Sequence, residues 1–454
     1  MHVLKRLIVF VLCPILIIAI ASCGNNRLLD PQNPVTLTLW HNYGQQMGES
    51  MGSLIEDFNN TVGAERGIIV QITYIADTRE INERLMMAVN KDPGAPPLPD
   101  IAVIYPRIGV TLVEAGLLMD LTTQFSSEEI SAFVPSFIEE GKLGGDAIYI
   151  MPLAKSTEVL YLNATIFNRF AADTGVSRSS LATIEGILDA AEKYYEWSGG
   201  KAFFYPENPF HNAMVGMRQL GEEFVSDREL SFLSPLYRRM WDAYYTLAVK
   251  GGNAIFDNYG NYLMATGEIV CLTGSSASVT FYPDTVTFPD NTKESLELEL
   301  LPYPVYEGGE NVAIQRGGGM CVFRSDSARE YAAGIFLKWL TQPAQNNRFT
   351  LQTGYMPVTE SAFREFITID QGSITNENVR KLYGTLIEMQ FNYSFFVPPV
   401  FEGFDEMQRS YNQRILRTAE DSRRVFLGRL DEMGIDAAFD EASQGAFESF
   451  ISGR

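Results

Sequence analysis

Residues 36–60, TLTLWHNYGQQMGESMGSLIEDFNN, decide how this chain is read. Thr36-Leu-Thr-Leu-Trp40 alternates polar and apolar side chains, as a half-buried strand does. Over the next stretch, 49–60, Met51, Leu54, Ile55 and Phe58 fall on one helical face. The same alternation of elements then repeats. Residues 68–75 form a second apolar strand, 81–90 a second helix, and Asp100-Ile-Ala-Val-Ile-Tyr105 a third strand. Strands alternating with helices imply a parallel sheet with right-handed crossovers. Ligands of such sheets gather beyond the carboxyl ends of the strands. Those ends are Trp40-His41-Asn42-Tyr43, Ala76-Asp77-Thr78 and Tyr105-Pro106-Arg107, all rich in polar and aromatic groups.

Further along, Asp146-Ala-Ile-Tyr-Ile-Met-Pro152 leads into Leu153-Ala-Lys-Ser-Thr-Glu-Val-Leu-Tyr-Leu-Asn163. Helical patterns dominate from 166 to about 265, residues 263–272 turn from a helix end into a strand, and 296–304 and 311–323 read as strands again. Residues 329–340 read as a helix with Ala332, Ala333, Phe336, Trp339 and Leu340 inward, capped by Ser325 or Asp326. The last hundred residues are mostly helical, with no internal repeat and no low-complexity tract.

The chain starts with Lys5 and Arg6, an apolar run over 7–21, and then Ser22-Cys23-Gly24, the layout of an export signal. Ile20-Ala21-Ser22-Cys23 resembles the lipobox of bacterial lipoproteins, which implies cleavage before Cys23 and acylation of that residue. The alternative is an uncleaved transmembrane anchor, for which the apolar run is short. Residues 24–34, polar and with Pro31 and Pro34, read as a linker from the lipid-bearing cysteine to the folded body. Removing residues 1–22, which hold two cations and no acid, takes the formal charge from −21 to −23. That balance argues against nucleic acid and against electrostatic adhesion to anionic lipid. The length calls for two lobes rather than one core. Beyond Cys13 and Cys23 only Cys271 and Cys321 remain, either as one disulfide or as two buried thiols.

The order of these blocks resembles the substrate-binding proteins of bacterial ABC importers, the extracellular solute-binding group of family 1 type that takes sugars and glycerol phosphates. The resemblance rests on LTLWHNYGQQMGESMGSLIEDFNN, LPDIAVIY followed by AGLLMDLT, YIMPLAKSTEVLYLNATIF, ATGEIVCLTGSSA, GGGMCVF and TGYMPVTESAF. It runs from about 36 to 362 and is weaker from 363 to 454. TGYMPVT and KSTEVLYLN lean toward the glycerol-3-phosphate-binding branch. It implies an α/β, periplasmic-binding-protein-like fold of type II arrangement: two lobes on a hinge, each a mainly parallel sheet flanked by helices. The expected division is 1–22 signal, 23–34 linker, 35–153 with 279–324 as the N-terminal lobe, and 154–278 with 325–454 as the C-terminal lobe. It further implies a monomer that closes on a small-molecule ligand and delivers it to a membrane permease and ATPase, with no cofactor and no enzymatic activity. Of the cargoes, glycerol-3-phosphate or a glycerophosphodiester is favoured over a neutral saccharide. A non-transport envelope lipoprotein or adhesin on the same fold is the further alternative.

A polyol calls for aromatic platforms and hydrogen bonds, a phosphate for Arg, hydroxyls and backbone N–H groups. Trp40 and Tyr43 are placed to wall the cleft, with core packing as the alternative for Trp40. Asp77 and Glu80 are candidate acceptors for ligand hydroxyls, or carboxylates favoured by a helix N-terminus. Tyr105 ends the third strand. By resemblance, Ser156 and Thr157 fit the small hydroxyl residues that touch ligand at the first crossing, while Lys155 departs from that pattern and suits an anion or points to solvent. Ser275 and Ser276 end a strand at the return crossing. Gly318 and Gly319, beside Gly317, offer close backbone approach and N–H donors. Tyr355 of TGYMPV is the leading contact, and Arg409 lies where the branch carries a C-terminal arginine, with Arg414 and Arg417 as neighbours that fit as well.

Gly48-Glu-Ser-Met-Gly52 matches a nucleophile-elbow pattern, but its serine lies at a helix start rather than directly after a strand. The chain has no Walker lysine motif, no Cys/His metal cluster and no dinucleotide fingerprint.

Overall fold

The computed structural model describes residues 28–143, 145–370, 372 and 374–453. The export signal, Cys23 and the first part of the linker lie outside those residues. The strands that position the site are β1 (Val35–His41), β2 (Ile68–Tyr74), β3 (Ile101–Ile104), β4 (Met151–Pro152), β5 (Glu158–Asn163), β6 (Phe204–Pro206), β7 (Cys271–Ser275), β8 (Leu298–Leu301), β9 (Val312–Ile314), β10 (Gly319–Val322) and β11 (Ser394–Phe396).

The first lobe carries a five-stranded sheet in the order β2-β1-β3-β10-β4. The opening βαβαβ reading holds here. β1 pairs in parallel with β2, Leu37 opposite Val70, and with β3, Leu39 opposite Ile101. The helix Gln45–Phe58 buries Met51, Leu54, Ile55 and Phe58, the face its periodicity marks. β3 is buried along its whole length, as a strand covered on both faces must be. β10 then enters antiparallel, Cys321 opposite Ala102, and pairs antiparallel with β4.

The second lobe holds a four-stranded sheet in the order β8-β5-β7-β6. Its β8–β5 and β5–β7 pairs are antiparallel and its β6–β7 pair is parallel. The expectation of a mainly parallel sheet in each lobe is therefore corrected: each sheet mixes directions. The cause is chain routing, since strands such as β10 enter a sheet after crossing from the other lobe. Much of the aromatic content is core here. Phe224 stacks on Tyr237 at 5.0 Å and meets Phe210 and Tyr411 edge-on at 5.6 and 5.5 Å, and Phe210 meets Tyr411 edge-on at 5.4 Å, where the helices Pro209–Gln219, Pro235–Lys250 and Phe404–Met433 meet.

The lobe boundaries differ from those expected. β8 alternates Leu298 and Leu300 inward and hydrogen-bonds to β5, so the chain between β7 and β9 belongs to the second lobe, not the first. The helix Ser327–Leu340, capped by Asp326, buries Ala332, Ala333, Phe336 and Leu340 against the first lobe. Arg329 of that helix reaches Asp100 at 2.9 Å, and Phe336 packs edge-on against Phe58 at 5.0 Å. The helix Pro343–Thr353 lies on Gln45–Phe58. Only the helices from Glu377 onward return to the second lobe.

Cys271 lies in the second sheet and Cys321 in the first, both fully buried and both free. Of the two readings, the buried thiols hold and the disulfide does not. Burial pushes the Cys321 thiol up to about 12, so it is inert as a nucleophile. No helix among the described residues is long and apolar enough to cross a membrane.

Candidate functional site

Between the lobes, chain segments run side by side and satisfy each other's backbone. Lys155 N–H donates to Met356 O at 3.2 Å, and Met356 N–H returns to Lys155 O at 2.6 Å. Ser156 and Arg316 exchange a similar pair at 2.9 and 2.7 Å, and Ser276 N–H donates to Thr157 O at 2.8 Å. This is the hinge, and most of its polar side chains are spent holding it together. The Lys155 ammonium is buried, 2.8 Å from the Glu140 carboxylate and 2.9 Å from Gly317 O. It does not point to solvent. Burial lowers its affinity for a proton, and the Glu140 charge opposes that shift. Thr157 Oγ1 donates to Ile314 O at 2.8 Å, and Ser276 Oγ accepts from Thr157 N–H at 3.3 Å. Ser275 Oγ accepts from Ala277 N–H, while its carbonyl takes the Tyr161 hydroxyl at 2.6 Å. Ser156 is buried and joins the hinge through its backbone.

The glycines serve the same end. A Cβ on Gly318 would sit 2.6 Å from Ile104 O, and one on Gly319 2.6 Å from Met151 O. These residues allow strands to press together, not a ligand to approach. Gly317, at φ +97°, adopts a left-handed turn that a side chain would strain.

The group that emerges from the hinge into the cleft is the Arg316 guanidinium. Its Nη1 lies 3.1 Å from Glu158 Oε1, and the same oxygen lies 2.8 Å from His211 Nδ1. The Glu158 side chain is 4% exposed and that of Arg316 33%, so the carboxylate is sealed while the cation reaches the opening. Burial alone would raise the Glu158 carboxyl. The charges and hydrogen bonds of His211 and Arg316 together hold it below the usual carboxylate range. Among the described residues Arg316 bonds through its side chain to Glu158 alone, which leaves its other N–H groups for the cleft.

A cavity of about 400 Å³ opens beside Arg316. Its second-lobe wall brings together Tyr205, Glu207, Asn208, Phe256, Asp257, Tyr259 and Asn412. Tyr205 is fixed by donating to Phe256 O and Asn258 O at 3.1 and 2.9 Å. Glu207 accepts from Gly260 N–H at 2.9 Å, and burial raises its carboxyl above the usual range. Asn412 donates to Asn208 at 3.1 Å and accepts from Phe210 N–H at 2.9 Å. Tyr259 is 65% exposed at the rim.

On the first-lobe side, next to the hinge at Met356, stands an aromatic wall outside the residues that line that cavity. Tyr355 stacks on Phe349 at 6.1 Å, and Tyr43 meets Tyr355 edge-on at 6.4 Å. Tyr105 is 42% exposed. Its phenol feels the Arg316 cation and the Glu140 carboxylate with opposite sign. Burial raises Tyr355, with Tyr105 adding and Arg316 opposing. Arg316, Tyr105 and Tyr355 thus share one electrostatic neighbourhood, with Tyr43 packed behind them.

Of the residues singled out from sequence, Tyr43, Tyr105 and Tyr355 come together here. Trp40 does not: it is buried with Ile75, Ile81, Leu85 and Ala102 behind the sheet, because its position in β1 points to the core face. Asp77 caps the helix Thr78–Asn90, accepting from Glu80 N–H at 2.8 Å, and Glu80 pairs with Arg84 at 2.6 Å. Both serve the helix rather than the cleft. Arg409 is exposed and pairs with Glu406 at 2.5 Å on its own helix. Ser50 of the Gly-x-Ser-x-Gly match is buried inside the helix Gln45–Phe58, with no strand-to-helix turn to present it. Sequence reasoning missed Arg316, Glu158, Glu207, Tyr205, Tyr259 and Asn412 as site residues. The available signals were a lone arginine directly before three glycines in an acidic chain, and a glutamate opening the apolar strand β5.

A two-lobed α/β body with a polar-aromatic cavity at its hinge defines a capture protein for small solutes. Residues 53–371 match the family model for bacterial extracellular solute-binding proteins, and the chain belongs to that family, whose members bind solutes rather than transform them. It is 26% identical over 229 residues to the sn-glycerol-3-phosphate-binding periplasmic protein UgpB of Agrobacterium fabrum, covering 47% of this chain and 49% of that protein. The chain thus spans about half the length of that curated relative. Among solved structures, UgpB from Mycobacterium tuberculosis in complex with glycerophosphocholine superposes with a TM-score of 0.67 at 16% identity, covering 93% of this chain and 100% of that one. The cyclic α-maltosyl-1,6-maltose binding protein from Arthrobacter globiformis gives 0.66 at 17% identity, with the same coverages of 93% and 100%. At these identities the two structures establish the fold alone.

Proposed function

We propose that the protein is the solute-binding component of an ABC importer and that its cargo is a glycerophosphodiester. The observation that carries this reading is Arg316, a guanidinium at the mouth of a cavity whose other charged lining groups are the carboxylates Glu158, Glu207 and Asp257. Arg offers a planar fork for a phosphate oxygen pair. With a single cation among three acids, a phosphate monoester carrying nearly two charges is repelled more strongly than a diester carrying one. A cationic or hydroxylated head group is then matched by Tyr205, Phe256 and Tyr259, with Glu207 and Asp257 close by. Glycerol-3-phosphate itself ranks below a diester for this reason. A neutral saccharide is the second reading, favoured by the same tyrosines and by carboxylates that accept sugar hydroxyls.

The body is exported and held to a bacterial membrane through acylated Cys23. It acts as a monomer and hands its cargo to a permease and ATPase. Tethering keeps it concentrated near that transporter. Mass spectrometry of the membrane-extracted protein tests the anchor: a diacyl or triacyl mass on Cys23 supports it, and an intact residue 1–22 segment refutes it.

Isothermal titration with glycerophosphocholine, glycerol-3-phosphate and maltose tests the cargo. Binding of glycerophosphocholine in preference to the other two is expected. Binding of maltose alone replaces the diester reading with the saccharide one.

A further inference from the structure

Arg107 lies in the first turn of the helix Pro106–Glu114, directly beyond β3 and two residues from Tyr105. Asp405 lies in the first turn of the helix Phe404–Met433, in the other lobe. Their side chains form an ion pair, with exposures of 33% and 42%. Among the described residues it is the ion pair that joins the lobes away from the hinge. Asp405, Arg409, Asn412 and Leu416 follow one another at helical spacings of four, three and four, so they share one face of their helix. Asn412 and Leu416 of that face line the cavity beside Arg316. The ion pair therefore stands at the outer end of the same surface that walls the cleft. Burial disfavours the charged form of Arg107, and the nearby Arg409 cation adds to this. Asp405 offsets both.

We propose that Arg107 and Asp405 are positioning residues for capture, a clasp that holds the two lobes in the arrangement enclosing the cavity. Neither residue lines the cavity, so they act through the angle between the lobes. The hinge lies at the strands carrying Ser156 and Arg316, so rotation about it carries Arg107 away from Asp405 and breaks the pair. Its energy then belongs to the enclosed arrangement only. A contact made in one of two states shifts their ratio by its own worth. For a half-exposed pair that is about a two- to five-fold shift in population at low salt, fading as salt screens it.

The clasp is tested on the full chain without any ligand. Small-angle scattering at low and high salt is compared for the wild type, Asp405→Asn, Arg107→Gln and the exchanged pair Arg107→Asp with Asp405→Arg. Circular dichroism melts confirm that each variant is folded. The wild type is expected to expand on adding salt. Each single variant is expected to be expanded already and insensitive to salt, and the exchanged pair to regain the compact, salt-sensitive form. A purely structural role for either residue does not produce that rescue. Equal radii of gyration for all four proteins at both salts overturn the proposal. A second readout, the dissociation rate of glycerophosphocholine, rests on the cargo reading given above and is expected to rise about two- to five-fold in Asp405→Asn. If glycerophosphocholine does not bind at all, the cargo reading fails while the scattering result still decides the clasp.

Discussion

The hinge and the second-lobe wall are both rich in polar residues, put to opposite use. In the hinge, Lys155, Thr157, Ser275 and Ser276 direct their polar atoms at Glu140, Gly317 O, Ile314 O and neighbouring backbone. On the wall, Glu207 and Asn412 are anchored through part of their hydrogen-bonding capacity, and Tyr259 is exposed at the rim. Buried polar groups must find partners. Where strands cross, the partners are already present in the chain; where a cavity opens, they come from outside. Chemistry-bearing residue types therefore mark function only when the fold leaves them unspent, and Arg316 is the hinge residue that meets this condition.

If that distinction is right, damage to the hinge and damage to the wall have different signatures. The largest effect is expected for Lys155→Met. It strands the buried Glu140 carboxylate and lowers unfolding free energy by about 3–5 kcal/mol, measured by urea denaturation, with affinity of the folded fraction unchanged. Adding Glu140→Leu removes the stranded charge and is expected to recover much of the loss. A loss of affinity at unchanged stability would instead place Lys155 in the ligand site.

His41 supplies a pH test of the first-lobe wall. It is buried beside Tyr43, at a ring separation of 5.4 Å, and burial lowers it to about 4. The unfolded chain binds a proton at about 6.5, so between these values the unfolded state holds more protons. Stability then falls with falling pH by about 1.4 kcal/mol per unit across that window. His41→Gln should flatten this slope in chemical denaturation at pH 4.5 to 6.5; an unaltered slope would assign it elsewhere. Glu158, whose folded carboxyl is depressed, adds stability that is present above the ordinary carboxylate range and lost as pH falls below it.

Tyr355→Ala opens the first-lobe wall and is expected to weaken cargo binding by about 1–3 kcal/mol, read by titration calorimetry. Unchanged affinity would leave Tyr355 as packing against Phe349. The smallest effect is expected for Asp77→Ala, which removes a helix cap worth about 1 kcal/mol in thermal or chemical unfolding and leaves binding untouched.

The first lobe was the more legible of the two. The 3.6-residue spacing of Met51, Leu54, Ile55 and Phe58, and the alternation in 36–40, are local signals, and the helix Gln45–Phe58 and strand β1 answer them directly. Strand direction was not legible, because whether β8 or β10 runs up or down depends on where the chain crosses between lobes. That route also moved the lobe boundaries: nothing local in Leu298–Leu301 says which sheet it joins. The aromatic wall was partly legible, since Tyr105 directly follows a strand end and Tyr355 lies in a family block. Arg316 was not, because its neighbours at Glu158 and His211 are 158 and 105 positions away in sequence. The hydroxyls of Thr157 and Ser276 misled because their partners inside the hinge are distant along the chain, while Ser275 is taken up by the neighbouring Ala277 N–H.

Titration calorimetry of glycerophosphocholine into the wild type and Arg316→Gln bears most directly on the claim that Arg316 is the polar centre of the cleft. The variant keeps bulk and hydrogen-bonding capacity but loses the cation and its pairing with Glu158. Binding by the wild type and a loss of about 2–3 kcal/mol or more in the variant are predicted, with circular dichroism showing both folded. Equal affinities in the two proteins would contradict the account and move the binding site away from Arg316.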